Sequence, residues 1–307
     1  MSYGLLSALS WGISALLAAV AARRIGALRT LVIGEAAGLA GYLTLFGLGH
    51  FSLRGAGETA WLLVLAGVIA VAGYLAMYRG LESGHVGLVS AITSCYGGVI
   101  AVLSVVLLRE RLTAAAALGI AATVAGVMLA VLRRTPARPT ASTPPTAPAP
   151  ALPTAPAPVG ALPTAPAPAV GVAFGLVAAL CYGVGGFMIG RYTRDLGWLV
   201  PVLVARGGAM VLLLGLLATP LRGPAGTLRA SGVAWALAAG LADAAGLVFF
   251  ARGDQVGLVA VTAAVSSAYP VIPLIGGLLV FRERLAHQQI GGTILILAGL
   301  VLLGLGS

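Results

Sequence analysis

Charge is scarce in this chain of 307 residues, because charged side chains make up only 8% of it. Soluble domains average about 25% charged residues, so the composition excludes an ordinary soluble globular protein. Lysine and asparagine are absent, and all 18 basic residues are arginines. Hydrophobic residues make up 60% of the chain, and its mean hydropathy is +1.05. The sequence therefore predicts an integral membrane protein whose main surroundings are the lipid bilayer.

Acidic residues and cysteines are also few. The resulting net charge of +10 would suit a nucleic acid, but nearly all arginines lie in short gaps between apolar runs, as is typical of the membrane surface. Cys95 and Cys181 both fall within apolar segments, so neither a disulfide framework nor a metal site is predicted. We expect no nucleic-acid partner, no metal and no cofactor.

Ten apolar segments are each long enough to cross a bilayer, which takes about 20 helical residues. Backbone groups in lipid must be hydrogen-bonded internally, so the sequence predicts an all-α bundle. No positive region precedes the first segment, which we interpret as a spanning helix rather than a cleaved signal peptide. The segments are residues 3–22, 31–49, 59–78, 86–108, 113–132, 169–190, 198–219, 232–250, 257–281 and 288–306.

A proline-rich stretch, residues 135–168, separates the fifth segment from the sixth. It contains three copies of Pro-Thr-Ala-Pro-Ala-Pro. Proline at this density favours an extended polyproline conformation. We interpret the stretch as a spacer, with a proline-motif ligand as the alternative. The predicted organisation is a five-helix unit at 1–134, the linker at 135–168 and a second five-helix unit at 169–307.

The two units repeat one another in sequence. Residues 79–130 correspond to residues 252–303 at an offset of 173, and the first helices correspond at an offset of 171. Because five is an odd number, the second unit enters the membrane from the opposite side. The odd number of helices in each unit therefore predicts an inverted-topology repeat. Transporters with such repeats place their substrate site where the halves meet.

Several motifs recur in the two halves or mark helix ends. They are Trp11-Gly12, Tyr74–Arg79, Arg109-Glu110-Arg111-Leu112, Gly119, Gly126, Ser267-Ala268-Tyr269-Pro270-Val271 and Arg282-Glu283-Arg284-Leu285. In order and spacing they resemble the drug/metabolite transporter (DMT) superfamily and, within it, the EamA-like transporters. The resemblance covers everything except the linker. It implies ten helices in two inverted units of five and a function in transport.

The orientation of the chain is left open by two conflicting arguments. Eleven arginines fall in the gaps after odd-numbered helices, and six fall in those after even-numbered helices. The positive-inside rule therefore predicts a cytoplasmic linker and external termini. The family resemblance implies cytoplasmic termini instead. The expected location is the plasma (cytoplasmic) membrane.

Three ionisable residues fall inside predicted helices, where a charge is costly and marks function by default. Glu35 lies in helix 2, Arg206 in helix 7 and Asp243 in helix 8. Glu35 and Arg206 are equivalent at the offset of 171, so we predict an opposite-charge pair. EamA-like proteins often carry arginine at both positions, and Glu35 departs from that pattern. The alternative is that each side chain snorkels or makes a structural contact.

Roles for these three residues follow as hypotheses. Arg206 would be the counter-ion of a carboxylate or of an acidic substrate, since a guanidinium keeps its charge. Asp243 or Glu35 would exchange protons, which makes the proton the candidate coupling ion. Asp243 aligns with Ala70, so the two halves are chemically unequal.

Helices 4 and 9 supply further candidates for substrate contact. Pro270 removes a backbone donor, and Gly97-Gly98 weakens helix 4 at the equivalent height. Broken helices near the midplane are where transporters bind substrate, although a packing kink fits equally well. The other candidates on these helices are Ser94, Tyr96, Ser267 and Tyr269. The aromatic candidates are Trp11, Tyr78 and Tyr182, for which a core or interfacial position is the alternative.

The leading interpretation is a secondary transporter that works by alternating access between two five-helix halves. It would export a small metabolite such as an amino acid, as a monomer or a homodimer. One alternative is a membrane scaffold or receptor-like protein, which would not need charges near the pseudo-symmetry axis. The other is an intramembrane enzyme, against which stands the absence of His-Glu-x-x-His, Gly-x-Ser-x-Gly and P-loop motifs.

Overall fold

The computed structural model describes residues 1–82, 92–131, 168–218, 230–272 and 287–306. Within these ranges all regular secondary structure is helical. Ten helices are described, beside short helical pieces at 92–93 and 271–272. They are α1 (Ser2–Ile25), α2 (Ala27–Leu48), α3 (Ala60–Glu82), α4 (Tyr96–Leu107), α5 (Ala114–Val131), α6 (Pro168–Leu196), α7 (Leu199–Leu217), α8 (Ala230–Val256), α9 (Val259–Ser266) and α10 (His287–Gly306).

The predicted all-α architecture is confirmed for the described residues, and each predicted segment overlaps one of these helices. Six helices are long and apolar enough to cross a membrane, namely α1, α2, α3, α6, α7 and α8. Shorter apolar helices lie in α4, α5 and α10. That all ten helices cross the membrane stays a prediction. The linker, apart from Pro168, and the Arg282–Leu285 motif lie outside the described residues.

The helices are apolar on their outer sides as well as on their inner sides. Val106 is 64% exposed, Val211 is 72% exposed and Leu297 is 56% exposed. A helix that is hydrophobic all round suits lipid rather than water. The outer surface is therefore fitted to a bilayer, and the polar groups of interest lie between helices.

Helices of the two halves pack mainly against each other. The main contacts join α1 to α8, α3 to α6 and α7, α2 to α8, α4 to α9 and α5 to α10. Glycine makes some of these approaches close: a Cβ atom on Gly240 would collide with the backbone of Gly34, and one on Gly67 would collide with the carbonyl of Ala205. Small residues of this kind let membrane helices approach closely.

The main hydrophobic core lies where helices of both halves converge. Its buried members include Tyr42, Tyr96, Ile100, Leu199 and Phe250. The core thus joins the two halves of the chain instead of forming one core for each half.

Two helices are interrupted at equivalent positions. The α-helical pattern gives way to a turn at Ser94-Cys95, before α4, and at Ser267–Pro270, after α9. In the second turn the amides of Ala268 and Tyr269 bond to carbonyls only three residues back, which is a tighter winding than that of an α-helix. The predicted weakening at Gly97-Gly98 is displaced, because both glycines lie inside α4.

Candidate functional site

A triad of charged side chains lies at the contact of α2, α7 and α8. Arg206 Nη1 donates a 2.7 Å hydrogen bond to Glu35 Oε2, and Arg206 Nη2 donates a 2.8 Å hydrogen bond to Asp243 Oδ2. The side chains of Arg206, Glu35 and Asp243 are 13%, 6% and 26% exposed. Glu35 and Arg206 form the predicted pair, and Asp243 completes it as a second acidic partner.

The glycine contacts of the fold bring the three charges together. Glu35 follows Gly34 directly, and Asp243 lies three residues after Gly240 on the same side of α8, so the Gly34–Gly240 approach sets the two carboxylates near each other. Arg206 follows Ala205, whose backbone is pressed against α3 at Gly67. The triad is therefore positioned by backbone packing on both sides.

The charges of the triad do not balance when both carboxylates are ionised, since one guanidinium faces two of them. Buried charges are tolerated when they are paired and hydrogen-bonded. Among the described residues, Glu35 Oε1 is buried and has no hydrogen-bond partner. The site therefore has spare acceptor capacity for a proton or for a donor group on a ligand. Asp243 is its most accessible member.

An aromatic layer lies next to the triad along α8; its members are Trp11, Tyr96, Phe250 and Tyr269. The ring of Trp11 is 5.6 Å from Phe250 and 6.3 Å from Tyr96, and Tyr96 is 6.5 Å from Tyr269, between ring centroids. Gly246 leaves room for the Trp11 ring, which a Cβ atom there would strike. Gly246 lies three residues after Asp243, so the aromatic layer begins one helical turn from the triad.

The interrupted helices contribute polar groups to this layer. The hydroxyl groups of Tyr96 and Ser266 are 3.5 Å apart, and Tyr269 lies within interaction distance of Ser94. Ser267 is fully buried, and its hydroxyl donates a 2.8 Å hydrogen bond to the carbonyl of Ala264. Pro270 closes the turn that follows α9.

The predicted site residues thus fall into separate groups. The triad holds Glu35, Arg206 and Asp243, whereas Trp11, Tyr96 and Tyr269 belong to the aromatic layer. Tyr182 lies elsewhere, with its ring 5.2 Å from Tyr74 and its hydroxyl 4.0 Å from Met77 Sδ. The side chain of Tyr78 lies outside the described part of the structure.

A second buried acidic cluster, which sequence reasoning missed, lies at the far end of α8. Glu110 Oε1 and Oε2 accept hydrogen bonds of 3.0 and 3.1 Å from the amides of Val259 and Ala260, so this carboxylate caps the first turn of α9. Asp254, in the last turn of α8, is fully buried. These partners of Glu110 lie in the other half of the chain.

A sequence signal for Asp254 did exist. Asp254 follows Asp243 by 11 residues, which is close to three helical turns, so both lie on one face of α8. Predicted helix 8 ended at residue 250, whereas α8 runs to Val256. The polar residues Arg252 and Asp254 made the apolar segment look shorter than the helix.

The described residues show no metal-ligand cluster, and one groove among them is apolar. In the described ranges, no group of three or more His, Cys, Asp or Glu residues is placed to hold a metal ion. A groove between α3 and α7 has no polar side chain in its lining, which suits a lipid chain better than a metabolite. It is lined by Val64, Val68, Val204, Gly207, Gly208, Val211 and Leu212.

Long apolar helices around buried charges define a multi-pass membrane protein. The family profile of the EamA-like transporters matches residues 1–132 and 169–305, and the chain belongs to this family, a transporter family of the DMT superfamily. Its DMT-superfamily resemblance is thereby confirmed. No curated protein matches the sequence. A solved structure titled "Crystal structure of protein" matches 99% of this chain and 95% of its own, with a TM-score of 0.69 and 18% identity. At that identity the likeness shows the fold alone.

Proposed function

We propose that this membrane transporter is a secondary transporter that moves a small metabolite, such as an amino acid, by alternating access between its halves. Export is the proposed direction, and the plasma membrane is the proposed location. The observation that carries the proposal is the Arg206 triad, buried where α2 of the first half meets α7 and α8 of the second. A purely structural membrane protein has no need for charges at such a position.

The packing of the helices supports an inverted repeat of two five-helix units, at 1–134 and 169–307. If α1 to α5 correspond to α6 to α10, the contact of α1 with α8 is equivalent to that of α6 with α3. The contact of α2 with α8 is likewise equivalent to that of α7 with α3. Contacts that occur in such exchanged pairs are expected of a pseudo-two-fold axis. All ten helices are proposed to span the membrane.

The triad suits a ligand that carries both charges. The ammonium group of an amino acid would bind Asp243, the more exposed acid of the triad, and its carboxylate would compete for the guanidinium of Arg206. The aromatic layer and its hydroxyl groups would receive the side chain of the ligand. A proton on Glu35 or Asp243 would balance the charge during the return step. Ser94, Ser267, Pro270, Tyr78 and Tyr182 are retained as candidate contacts of this proposal.

A single chain supplies all three charges of the triad, so a monomer suffices for the proposed mechanism and a homodimer is the alternative assembly. The linker is proposed to act as a spacer. The proposed partners are the lipid bilayer, the small-molecule substrate and protons.

Transport by purified protein in liposomes tests the proposal. We expect wild-type protein to take up at least one member of a radiolabelled amino-acid panel, and Arg206→Gln to lose that uptake. Arg191→Gln is the matched control, because Arg191 is 46% exposed and pairs with Asp195, one helical turn away on α6. Equal loss in both variants, or uptake that survives in Arg206→Gln, would count against the triad. A folded wild type that transports nothing in the panel would favour a scaffold or receptor-like role.

A further inference from the structure

We propose that Asp254 is a proton-binding site separate from the triad, and that its carboxyl group carries a proton in the conformation described here. The use of this proton to drive transport rests on the proposed function, whereas proton binding itself does not. The reaction is simple: one carboxylate oxygen takes up one proton from water, and it releases the proton when the site opens.

The burial of Asp254 is the first argument that its carboxyl group binds a proton. The residue is 0% exposed, and within the described residues neither Oδ1 nor Oδ2 has a hydrogen-bond partner. A buried carboxylate ion needs donors or a counter-charge to replace water. A carboxyl group without them neutralises itself by binding a proton.

The neighbouring charges compensate a negative charge on Asp254 only in part. Glu110 is close enough to repel a negative charge on Asp254. Arg194, from α6, attracts it, but Arg194 Nη2 lies 3.5 Å from Glu110 Oε1 and donates a 2.9 Å hydrogen bond to the carbonyl of Gly257. This cation is therefore shared between an acid and a backbone carbonyl.

The remaining polar groups around Asp254 are already engaged. On α8 itself, Arg252 Nη1 donates to Gln255 Oε1 at 3.1 Å, and its guanidinium lies over the ring of Trp198. On α6, the Thr193 hydroxyl donates to the carbonyl of Gly190. On α9, the Thr262 hydroxyl donates to the carbonyl of Leu258 at 3.2 Å. Thr262 is close enough to Asp254 to donate to it instead, but its single hydrogen would then be lost to the carbonyl of Leu258.

The protonated form does have a fitting neighbour. Thr262 lies beside Asp254, and its oxygen keeps lone pairs after its hydrogen is donated to Leu258. A neutral Asp254 can therefore donate its hydrogen to Thr262, whereas an ionised one would have to take the Thr262 hydrogen away from the carbonyl of Leu258. Gly190 makes room for the carboxyl group, because a Cβ atom there would lie 2.6 Å from Oδ2.

The position of Asp254 gives the proton a place in the transport cycle. Asp254 lies about 16 Å along α8 from Asp243 on the same face. Phe250 and the rest of the aromatic layer separate the two acids. A proton at Asp254 is thus held on the other side of this layer from the triad. Rearrangement of α6, α8 and α9 would expose the carboxyl group to water and release the proton.

A proton fits the site better than sodium does. A sodium ion needs several oxygen ligands at once, and both oxygens of Glu110 are already bound by the amides of Val259 and Ala260. A Glu110 oxygen that turned toward a metal would weaken its bond to an α9 amide. Sodium is therefore an outcome that the experiment must separate from proton binding.

Infrared spectroscopy of the purified wild-type protein tests proton binding directly, because a protonated carboxyl group has a C=O band distinct from those of carboxylates and amides. We expect this band at neutral pH and its loss in Asp254→Asn. Asp195→Asn is the matched control, since Asp195 is also an acid near the end of a helix but its side chain is 62% exposed. No such band in the wild type, or a band unchanged in Asp254→Asn, would overturn the proposal.

A second variant keeps the test decisive if Asp254→Asn does not fold. Gly190→Ala places a methyl group against Oδ2 and should shift the frequency of the band. Gly47→Ala is its control, because nothing lies within 4 Å of a Cβ atom there. A band that stays in place in Gly190→Ala would contradict the assignment to Asp254.

Coupling is tested in liposomes with a radiolabelled amino-acid mixture and an imposed pH gradient. We expect the wild type to accumulate label, and Asp254→Asn to equilibrate it without accumulation. Accumulation that persists in the variant, or that follows a sodium gradient instead, would overturn proton coupling through Asp254. A wild type that moves no label would count against amino-acid transport, and the infrared band would still decide whether Asp254 binds a proton.

Discussion

Asp243 and Asp254 lie on one face of the same helix, yet their surroundings are opposite. Asp243 accepts a 2.8 Å hydrogen bond from a guanidinium, and its side chain is 26% exposed. Asp254 is fully buried and has no hydrogen-bond donor among the described residues. The comparison shows two ways to keep an acid inside a membrane protein, namely a counter-charge in the first case and a bound proton in the second.

The difference follows from what the facing helices supply. At the height of Asp243, α7 supplies an arginine, and close glycine packing of α2 on α8 brings a second acid to it. At the height of Asp254, α6 supplies Gly190, which makes space but gives no charge. The neighbouring helix therefore determines whether each aspartate has a charged partner.

Removal of Arg206, the counter-charge of Glu35 and Asp243, should have the largest effect on stability. Arg206→Gln leaves Glu35 and Asp243 buried and unpaired, which costs about 3–5 kcal/mol when one partner of a buried pair is lost. We expect a large fall in thermal stability of the detergent-purified protein. Combination with Glu35→Gln and Asp243→Asn should restore most of it. A single variant as stable as the wild type would show that the triad is not an interacting unit.

Neutral replacement of each aspartate compares the two sites directly. Asp243→Asn loses a charged hydrogen bond and should lower the free energy of unfolding by about 1.5–3 kcal/mol. Asp254→Asn replaces a neutral carboxyl group by an amide of nearly the same shape, so its stability should stay close to that of the wild type. Chemical denaturation of both variants in one detergent measures the difference. Equal losses in the two variants would remove the distinction between the sites.

The packing of α2 on α8 can be disturbed without a change of charge. Gly240→Ala places a methyl group against the backbone of Gly34, next to the triad. Overpacking of this kind costs about 1–3 kcal/mol, and the altered spacing should also weaken transport. Gly47→Ala, which has free space at its Cβ position, should change neither property. The same unfolding and uptake assays report both effects, and equal behaviour of the two variants would argue against a positioning role for the glycine contact.

The smallest effect is expected at the cap of α9. Glu110→Gln weakens the bonds to the amides of Val259 and Ala260 and should cost about 1 kcal/mol, as loss of a helix cap does. Glu58→Gln, at an exposed acid, is the control and should have no effect. Hydrogen exchange of the α9 amides would show faster opening in the first variant. Unchanged exchange would contradict the capping role.

Sequence reasoning could reach those features of the site that depend on local composition or on the repeat. The lengths of the apolar segments predicted the helices. The offset of 171 predicted the pair of Glu35 and Arg206, which are 171 residues apart and in contact. Asp243 has Ala70 at its equivalent position, so the repeat could not indicate its partner. That contact depends on how α8 rotates against α7, which only packing determines.

Other features depend on contacts that are distant in sequence. Glu110 caps an amide 149 residues away, and no local pattern around Arg109–Leu112 indicates such a partner. The interruption of α4 begins at Ser94-Cys95 instead of at Gly97-Gly98, because close packing holds Gly97 inside the helix: a Cβ atom there would strike Ser267. Glycine at this point serves an approach between helices rather than a bend.

The opposite charges of Glu35 and Arg206 also bear on whether the two halves are interchangeable. Each half, if it assembled with a copy of itself, would set like charges against each other across the axis: glutamate on glutamate, or arginine on arginine. In the fused chain the two positions neutralise each other. Neither half could therefore replace the other in the folded chain, because each supplies a charge that the other lacks at this contact.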